Sequence, residues 1–296
     1  MDRDGEGAGQ ENGRRRLLDI LDLEQIDLRY YRGFTPDTDS IRVFGGQVAG
    51  QALVAAGRTV EPGKDVHSLH AYFLRPGDPR LPILYDVDVV RDGRSFATRR
   101  VVAIQRGEAI FNLAASFHCD EEGLSHQVAT LDAPPPQDVP EIDLNNADPE
   151  AVAWWEMIRA RFPLDYRFVD PLPSAAPAPP PTTRQRVWLR SAEPLGDDPL
   201  MHVCALAYAS DLFLISSALR PHRMTLRQSG VSAASLDHAM WFHQRFRADE
   251  WLLYDQEGSW TGHGRGLARG QVLNQSGQLV ATVIQEGLLR LRPAGR

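Results

Sequence analysis

The second half of this chain restates the first, and that repeat constrains the fold more than any other feature. Ile83-Leu84-Tyr85-Asp86-Val87 returns as Leu252-Leu253-Tyr254-Asp255-Gln256, an offset of 254 − 85 = 169 residues. The same offset relates Phe73 to Phe242 and Gly93 to Gly262, and with a slip of one residue Gln105-Arg106-Gly107 matches Gln275-Ser276-Gly277. Solenoid units repeat every ~20–50 residues, so a period this long marks a duplicated domain. One copy then serves as a control for the other. A polar residue carried by one copy, where its twin is apolar, is not something the fold requires.

A length of 296 residues with 43% hydrophobic content suits two compact domains, each with its own core. The expected division is a disordered leader over 1–16, an N-terminal unit over 17–119, a proline-rich linker over 120–184 and a C-terminal unit over 185–296. The net charge of −7 and the lack of any basic block beyond Arg14-Arg15-Arg16 argue against a nucleic-acid partner. That triplet reads as a solvated charge run. The two cysteines, Cys119 and Cys204, have neither CxxC nor metal-type spacing, so neither a disulfide framework nor a zinc site is expected. Cys204 should pack as a small hydrophobe. No apolar run approaches the roughly 20 residues that span a bilayer. No secretory or C-terminal address is visible either. The expectation is a reduced, soluble, cytoplasmic protein.

Local patterning places a short helix at Leu17–Leu21, an extended stretch over Ile26–Arg32 and a helix over Phe44–Ala56. That helix has a small-sided face of Val48, Ala52, Ala55 and Ala56, suited to lying close on a sheet. Strands follow at Val66–Leu74, Ile83–Val90, Ser95–Gln105 and Ala109–Phe117, with Gly93 and Gly107 at hairpin turns. The linker carries Pro134-Pro135-Pro136, a second proline cluster from Pro177 to Pro181, and one helix over Pro149–Phe162 that Trp154 and Trp155 should dock. The second copy reads as a strand at Gln185–Leu189 and a long helix over Leu200–Leu219. Strands at Ala233–Phe242, Trp251–Gln256, Gly264–Asn274 and Leu279–Leu289 complete it. Each half is thus a helix wrapped by an antiparallel meander. The expected class is α+β, a double hotdog whose two sheets join edge to edge.

Subtracting one copy from the other singles out three residues. Asp211 lies in the apolar run Leu206–Ile215, where a carboxylate must find donors or bear a desolvation cost. Aligned at an offset of 211 − 52 = 159, its twin is Ala52. Taken alone, Asp211 reads more readily as a solvent-facing helix residue. Gln285 shares a strand face with Leu279, Ala281 and Val283, and its twin at 285 − 115 = 170 is Ala115. A buried amide there could be structural or could hold a reacting water. Ser235 has Val66 as its twin at 235 − 66 = 169. Three polar positions in one copy against three aliphatic ones in the other weigh more than any single member.

Other candidates fail on context. Gly93-Arg94-Ser95-Phe96-Ala97 resembles a nucleophile elbow but sits between two strands, where the elbow joins strand to helix. Gly262-His263-Gly264-Arg265-Gly266 lacks dinucleotide spacing and precedes a strand, so it reads as a turn. There is no GxxxxGK[ST] loop. His67, His70, His238 and His243 have no carboxylate at metal-like spacing and read as core or rim histidines, so no metal or cofactor is expected.

Val43-Phe44-Gly45-Gly46-Gln47-Val48 and the block His67-Ser68-Leu69-His70-Ala71-Tyr72-Phe73-Leu74-Arg75-Pro76-Gly77-Asp78 resemble bacterial acyl-CoA thioesterase II. So do Tyr208-Ala209-Ser210-Asp211-Leu212, the block Leu236-Asp237-His238-Ala239-Met240-Trp241-Phe242-His243, and Gln285-Glu286-Gly287. The resemblance implies a double-hotdog hydrolase that cleaves fatty acyl-CoA to free acid and coenzyme A. It implies an aspartate, a threonine or serine, and a glutamine that hold a water, which fall on Asp211, Ser235 and Gln285. Many bacterial members have threonine where this chain has Ser235. Asp211 would act as general base with a raised pKa, Ser235 and Gln285 would orient the water, and backbone N–H groups near a helix start would stabilise the oxyanion. Edge pairing beyond the two halves leads to an expected homo-oligomer.

Two rival readings remain at this stage. A hotdog enoyl-CoA hydratase would need histidine five residues after the aspartate, where this chain has Ser216. An acyl-CoA-binding regulator would keep the fold without turnover, and would need a DNA-binding partner domain for which no basic helix is present.

Overall fold

The computed structural model describes residues 16–36, 40–142, 149–171, 180–226 and 230–291. Residues 1–15 of the leader, and Pro177 and Pro179 in the second proline cluster, lie outside them. The first half contains α1 (Leu17–Leu21), β1 (Glu24–Asp27), β2 (Tyr30–Gly33), α2 (Gly45–Gly57), β3 (Lys64–Phe73), β4 (Ile83–Asp92), β5 (Phe96–Gln105) and β6 (Glu108–Cys119). Then come α3 (Pro149–Arg161) and β7 (Leu164–Phe168). The second half contains β8 (Arg184–Ser191), α4 (Pro199–Ser210), α5 (Leu214–Ser217), β9 (Val231–Ser235), β10 (Asp237–Phe242), β11 (Leu252–Gly262), β12 (Arg265–Asn274) and β13 (Leu279–Leu291).

The strands form one sheet in the order β1-β2-β4-β5-β6-β3-β10-β13-β12-β11-β8-β7, with β9 also paired to β13. The join between the halves is β3 against β10. Tyr72 faces Asp237 and Ser68 faces Trp241. Both twin pairs keep one offset, 241 − 72 = 237 − 68 = 169, so a local two-fold axis passes through the His70–Ala239 pair. The sequence repeat is therefore a symmetry of the sheet. Each half curls round a central helix, as the double hotdog requires.

The same register fixes the twins. Val66 pairs with Phe117 and Ser235 pairs with Gly287, matching 235 − 66 = 169 and 287 − 117 = 170. Each half then slips by one residue, at His67 in β3 and at Leu236 between β9 and β10. The continuous strand expected over Ala233–Phe242 is thus two strands divided by a bulge, which bends a strand and re-aims its side chains. For the helices, Tyr85 donates its hydroxyl to Gln51 Oε1 (2.7 Å) and its twin Tyr254 donates to the Ser210 carbonyl (3.1 Å). The helical offset is again 210 − 51 = 159, which sets Asp211 on Ala52.

α2 and α4 run antiparallel and touch through glycine. A side-chain carbon at Gly46 would strike the Tyr208 carbonyl, at Gly50 the Cys204 carbonyl (3.1 Å), and at Gly57 the Leu200 side chain (2.5 Å). Small residues on α2 thus serve a helix–helix contact as well as the sheet-facing role expected from Ala52, Ala55 and Ala56. Every residue from Gly46 to Ala56 is buried. Asp198 caps α4 by accepting from the Leu200 N–H (3.0 Å), with Pro199 in the first turn.

The long helix expected over Leu200–Leu219 is broken. α4 ends at Ser210, Asp211 is its C-cap, and Phe213 (φ −121°) leaves the helical region before α5 begins. Ser216 and Ser217 turn their hydroxyls back to the Phe213 and Leu214 carbonyls (2.5 and 2.7 Å), competing with the helical ladder. The stretch Pro199–His222 is also a correction to the expected absence of bilayer-length apolar runs. It is long and apolar enough to cross a membrane, and 72% of its most apolar window is buried inside the protein, as a central core helix should be. Among its described residues the linker also holds a strand, β7, besides its expected helix. β7 pairs with β8, and Trp155, 2% exposed, docks α3 edge-on to Phe168 (5.3 Å).

Valine at Gly50 would meet Leu21 Cδ2 at 2.8 Å as well as the Cys204 carbonyl. Gly50→Val should destabilise the protein by about 1–3 kcal/mol through overpacking. Urea unfolding tests this: a lowered midpoint at unchanged slope is expected, and an unchanged midpoint contradicts the close helix contact.

Candidate active site

Antiparallel packing brings the C-terminal end of α4 against the N-terminal end of α2, and Asp211 sits at that meeting point. Its side chain is 7% exposed. Oδ1 accepts the Ser235 hydroxyl (2.8 Å) and the Gln285 amide Nε2 (2.5 Å). The Gly46 backbone N–H, at the start of α2, lies close enough to favour the charged carboxylate. A side-chain carbon at Gly45 would lie 2.7 Å from Oδ2 and 2.8 Å from the Phe73 ring, so only glycine lets the start of α2 approach this closely. The three residues found by subtraction thus converge on one carboxylate.

Opposing influences act on Asp211. Burial pushes its pKa above the usual aspartate value. Gln285, Ser235, the Gly46 N–H and the charge of Arg42 pull it back down, and burial wins. A carboxylate at the C-cap of α4 sits at that helix's negative end while facing the positive end of α2, so the two dipoles oppose one another there. Gln285 is fully buried on β13, and its Oε1 has no hydrogen-bond partner among the described residues while its Nε2 holds Asp211. An acceptor is left free beside the carboxylate.

A second layer braces the end of α4. The Ser210 hydroxyl is 2.8 Å from His238 Nε2, and its carbonyl accepts Tyr254. His238, read from sequence as a core or rim histidine, is fully buried, and burial drives its pKa down to about 4, so it is neutral. Phe44 is the N-cap residue of α2, and its ring packs edge-on against Phe162 (4.9 Å) and Tyr208 (5.2 Å). Arg42, exposed beside the site, holds the Ala233 carbonyl (2.6 Å). Gly45 and Gly46 stand in a sequence motif, but nothing local reports that they abut Asp211. Only the α2–α4 contact makes them neighbours.

The raised Asp211 pKa carries a sign. Its contribution to folding is complete below the ordinary aspartate value and is lost as pH rises through the raised folded value. A protonated-carboxyl infrared band should therefore titrate above the usual aspartate range and vanish in Asp211→Asn. A band that titrates within that range would contradict the dominance of burial.

A family profile for acyl-CoA thioesterase matches residues 158–288, and one for the acyl-CoA thioesterase N-terminal domain matches residues 34–118. The chain is 40% identical to mouse acyl-coenzyme A thioesterase 8 over 94% of its own length and 89% of that protein. It is 37% identical to acyl-CoA thioesterase 2 of Haemophilus influenzae, covering 93% of this chain and 96% of that one. Among solved structures, it is similar to acyl-CoA thioesterase II TesB2 of Mycobacterium marinum. There the TM-score is 0.77 and the identity 48%, over 94% of this chain and 99% of the other.

Proposed function

Because the chain belongs to the acyl-CoA thioesterase II family, we propose that it cleaves fatty acyl-CoA using a water held by Asp211, Ser235 and Gln285. It is an acyl-CoA thioesterase; the fatty character of the acyl group and the role of each residue are the proposal. The observation that carries it is the convergence on one buried carboxylate of the Ser235 hydroxyl and the Gln285 amide, in one copy only.

Asp211 takes a proton from the water as it attacks the thioester carbonyl carbon. A base with a raised pKa gains driving force for that transfer. The Ser235 hydroxyl and one N–H of the Gln285 amide point at Asp211, and the oxygens of both side chains can accept from the water and fix its direction. The positive end of α2 favours the negative charge that develops on the carbonyl oxygen. Collapse of the tetrahedral intermediate breaks the carbon–sulfur bond. A thiol with a pKa of about 8.5, by the cysteine reference, leaves readily as thiolate, so no histidine acid is required. Arg42 adds positive charge beside the site, suited to the phosphates of coenzyme A. The hydratase reading is disfavoured by Ser216, whose hydroxyl is turned back onto the Phe213 carbonyl.

Thiol release from palmitoyl-CoA, followed with a thiol-reactive dye, tests the reaction. Asp211→Asn should lower kcat by about 10²–10⁴-fold with the fold retained by circular dichroism. Near-normal turnover by that variant would overturn the assignment of the base. Ser235→Ala and Gln285→Ala should each lose up to roughly 10²-fold, while Ser235→Thr, which keeps the hydroxyl, should stay active. Arg42→Gln should raise KM more than it lowers kcat; an unchanged KM would remove Arg42 from substrate binding.

A further inference from the structure

The comparison of copies also picks out polar residues in the first half. β6 ends in His118 and Cys119, and Glu121 follows. The ladder that pairs Lys64 with Cys119 pairs Ala233 with Leu289, so the twin of Cys119 lies at 289 − 119 = 170. At that offset His118 answers to Leu288 and Glu121 to Leu291. The second copy folds with leucine at all three places, so the fold does not demand an imidazole, a thiol and a carboxylate there.

Those three groups converge. One potential ligand atom from each lies within 4.8 Å of the other two. Cys119 Sγ donates to Glu121 Oε1 at 3.3 Å, and His118 Nε2 stands 3.5 Å from Glu121 Oε2. Ligand atoms bound about 2.0–2.3 Å from a tetrahedral ion stand roughly 3.3–3.7 Å from one another, so little rearrangement separates this cluster from a coordination shell. Beyond that approach to Glu121, His118 Nε2 is shielded from solvent and has no hydrogen-bond partner among the described residues, and its ring is held by stacking on Phe96 (4.1 Å between centroids, 22° between planes).

We propose that His118, Cys119 and Glu121 bind one divalent cation of the zinc kind, with a fourth position open to water. The mixed nitrogen, sulfur and oxygen donors select for a borderline-soft ion over magnesium or calcium, which take oxygen ligands. On binding, the Cys119 S–H bond breaks, the sulfur–metal bond forms and the proton passes to solvent. His118 coordinates through neutral Nε2, and one Glu121 oxygen exchanges its contact with the thiol for the metal. The ion would tie the segment leaving β6 to the end of that strand. It would not touch the thioesterase site. Cys119 faces Lys64 at one end of β3, whereas the Phe73 ring beside Gly45 is nine residues further on, 73 − 64 = 9, roughly 30 Å along the strand.

The test uses the full chain after chelator treatment, titrated with cobalt(II) and then with zinc. One equivalent of cobalt should give a near-ultraviolet thiolate-to-cobalt charge-transfer band together with intense visible bands of tetrahedral type, and zinc should displace both. Cys119→Ser should abolish the charge-transfer band, and His118→Ala or Glu121→Gln should weaken zinc binding at least about 10-fold. Cys204→Ala, which removes a thiol buried in α4, should leave the band intact. Turnover of palmitoyl-CoA should be unchanged in Cys119→Ser. Absence of the band, its survival in Cys119→Ser, or zinc stoichiometry unaltered in H118A/C119S/E121Q would overturn the proposal.

Discussion

The close antiparallel contact of the two central helices is what the rest of the structure depends on. Gly46 and Gly50 let α2 lie directly on the carbonyls of α4, and so bring the start of one helix to the end of the other. Without that contact Asp211 would have only the donors of its own half. With it, the carboxylate gains a backbone N–H from the opposite copy and the field of a second helix. The site is encoded in the second half but completed by the first.

Duplication explains how such a site can exist at tolerable cost. A buried carboxylate is a liability, and the hydrogen bonds from Ser235 and Gln285 only partly offset the loss of water. In the first half the corresponding places are Val66, Ala52 and Ala115, all buried in the apolar core. One copy is free to pack well while the other carries the destabilising group. The shared two-fold axis at His70–Ala239 holds them in a single continuous sheet, so the strain of one half is borne by the stability of both.

Much of this was legible in the sequence, for identifiable reasons. Strand alternation and the glycine turns located the meander, and the 169-residue offset is the register of β3 on β10. Asp211, Ser235 and Gln285 stood out because a twin existed for each. The break after Ser210 was not legible, because Leu206–Ile215 is apolar but for Ser210 and Asp211, and the break falls where Asp211 meets β9, β13 and the start of α2. The bulge at Leu236 was hidden because a one-residue slip leaves composition unchanged. β7 did carry a signal, Leu164, Tyr166 and Phe168 in alternation, masked by its proline-rich surroundings. The role of Gly45 and Gly46 could not be read from either half alone.

The central claim is that Asp211 activates water rather than attacking the thioester itself. Single turnovers with enzyme in excess, run in water enriched in heavy oxygen, test it most directly when both the released fatty acid and the peptide containing Asp211 are analysed by mass spectrometry. The account predicts heavy oxygen in the fatty acid and none in the Asp211 carboxyl. Heavy oxygen in that carboxyl would reveal an acyl-enzyme anhydride and contradict the account.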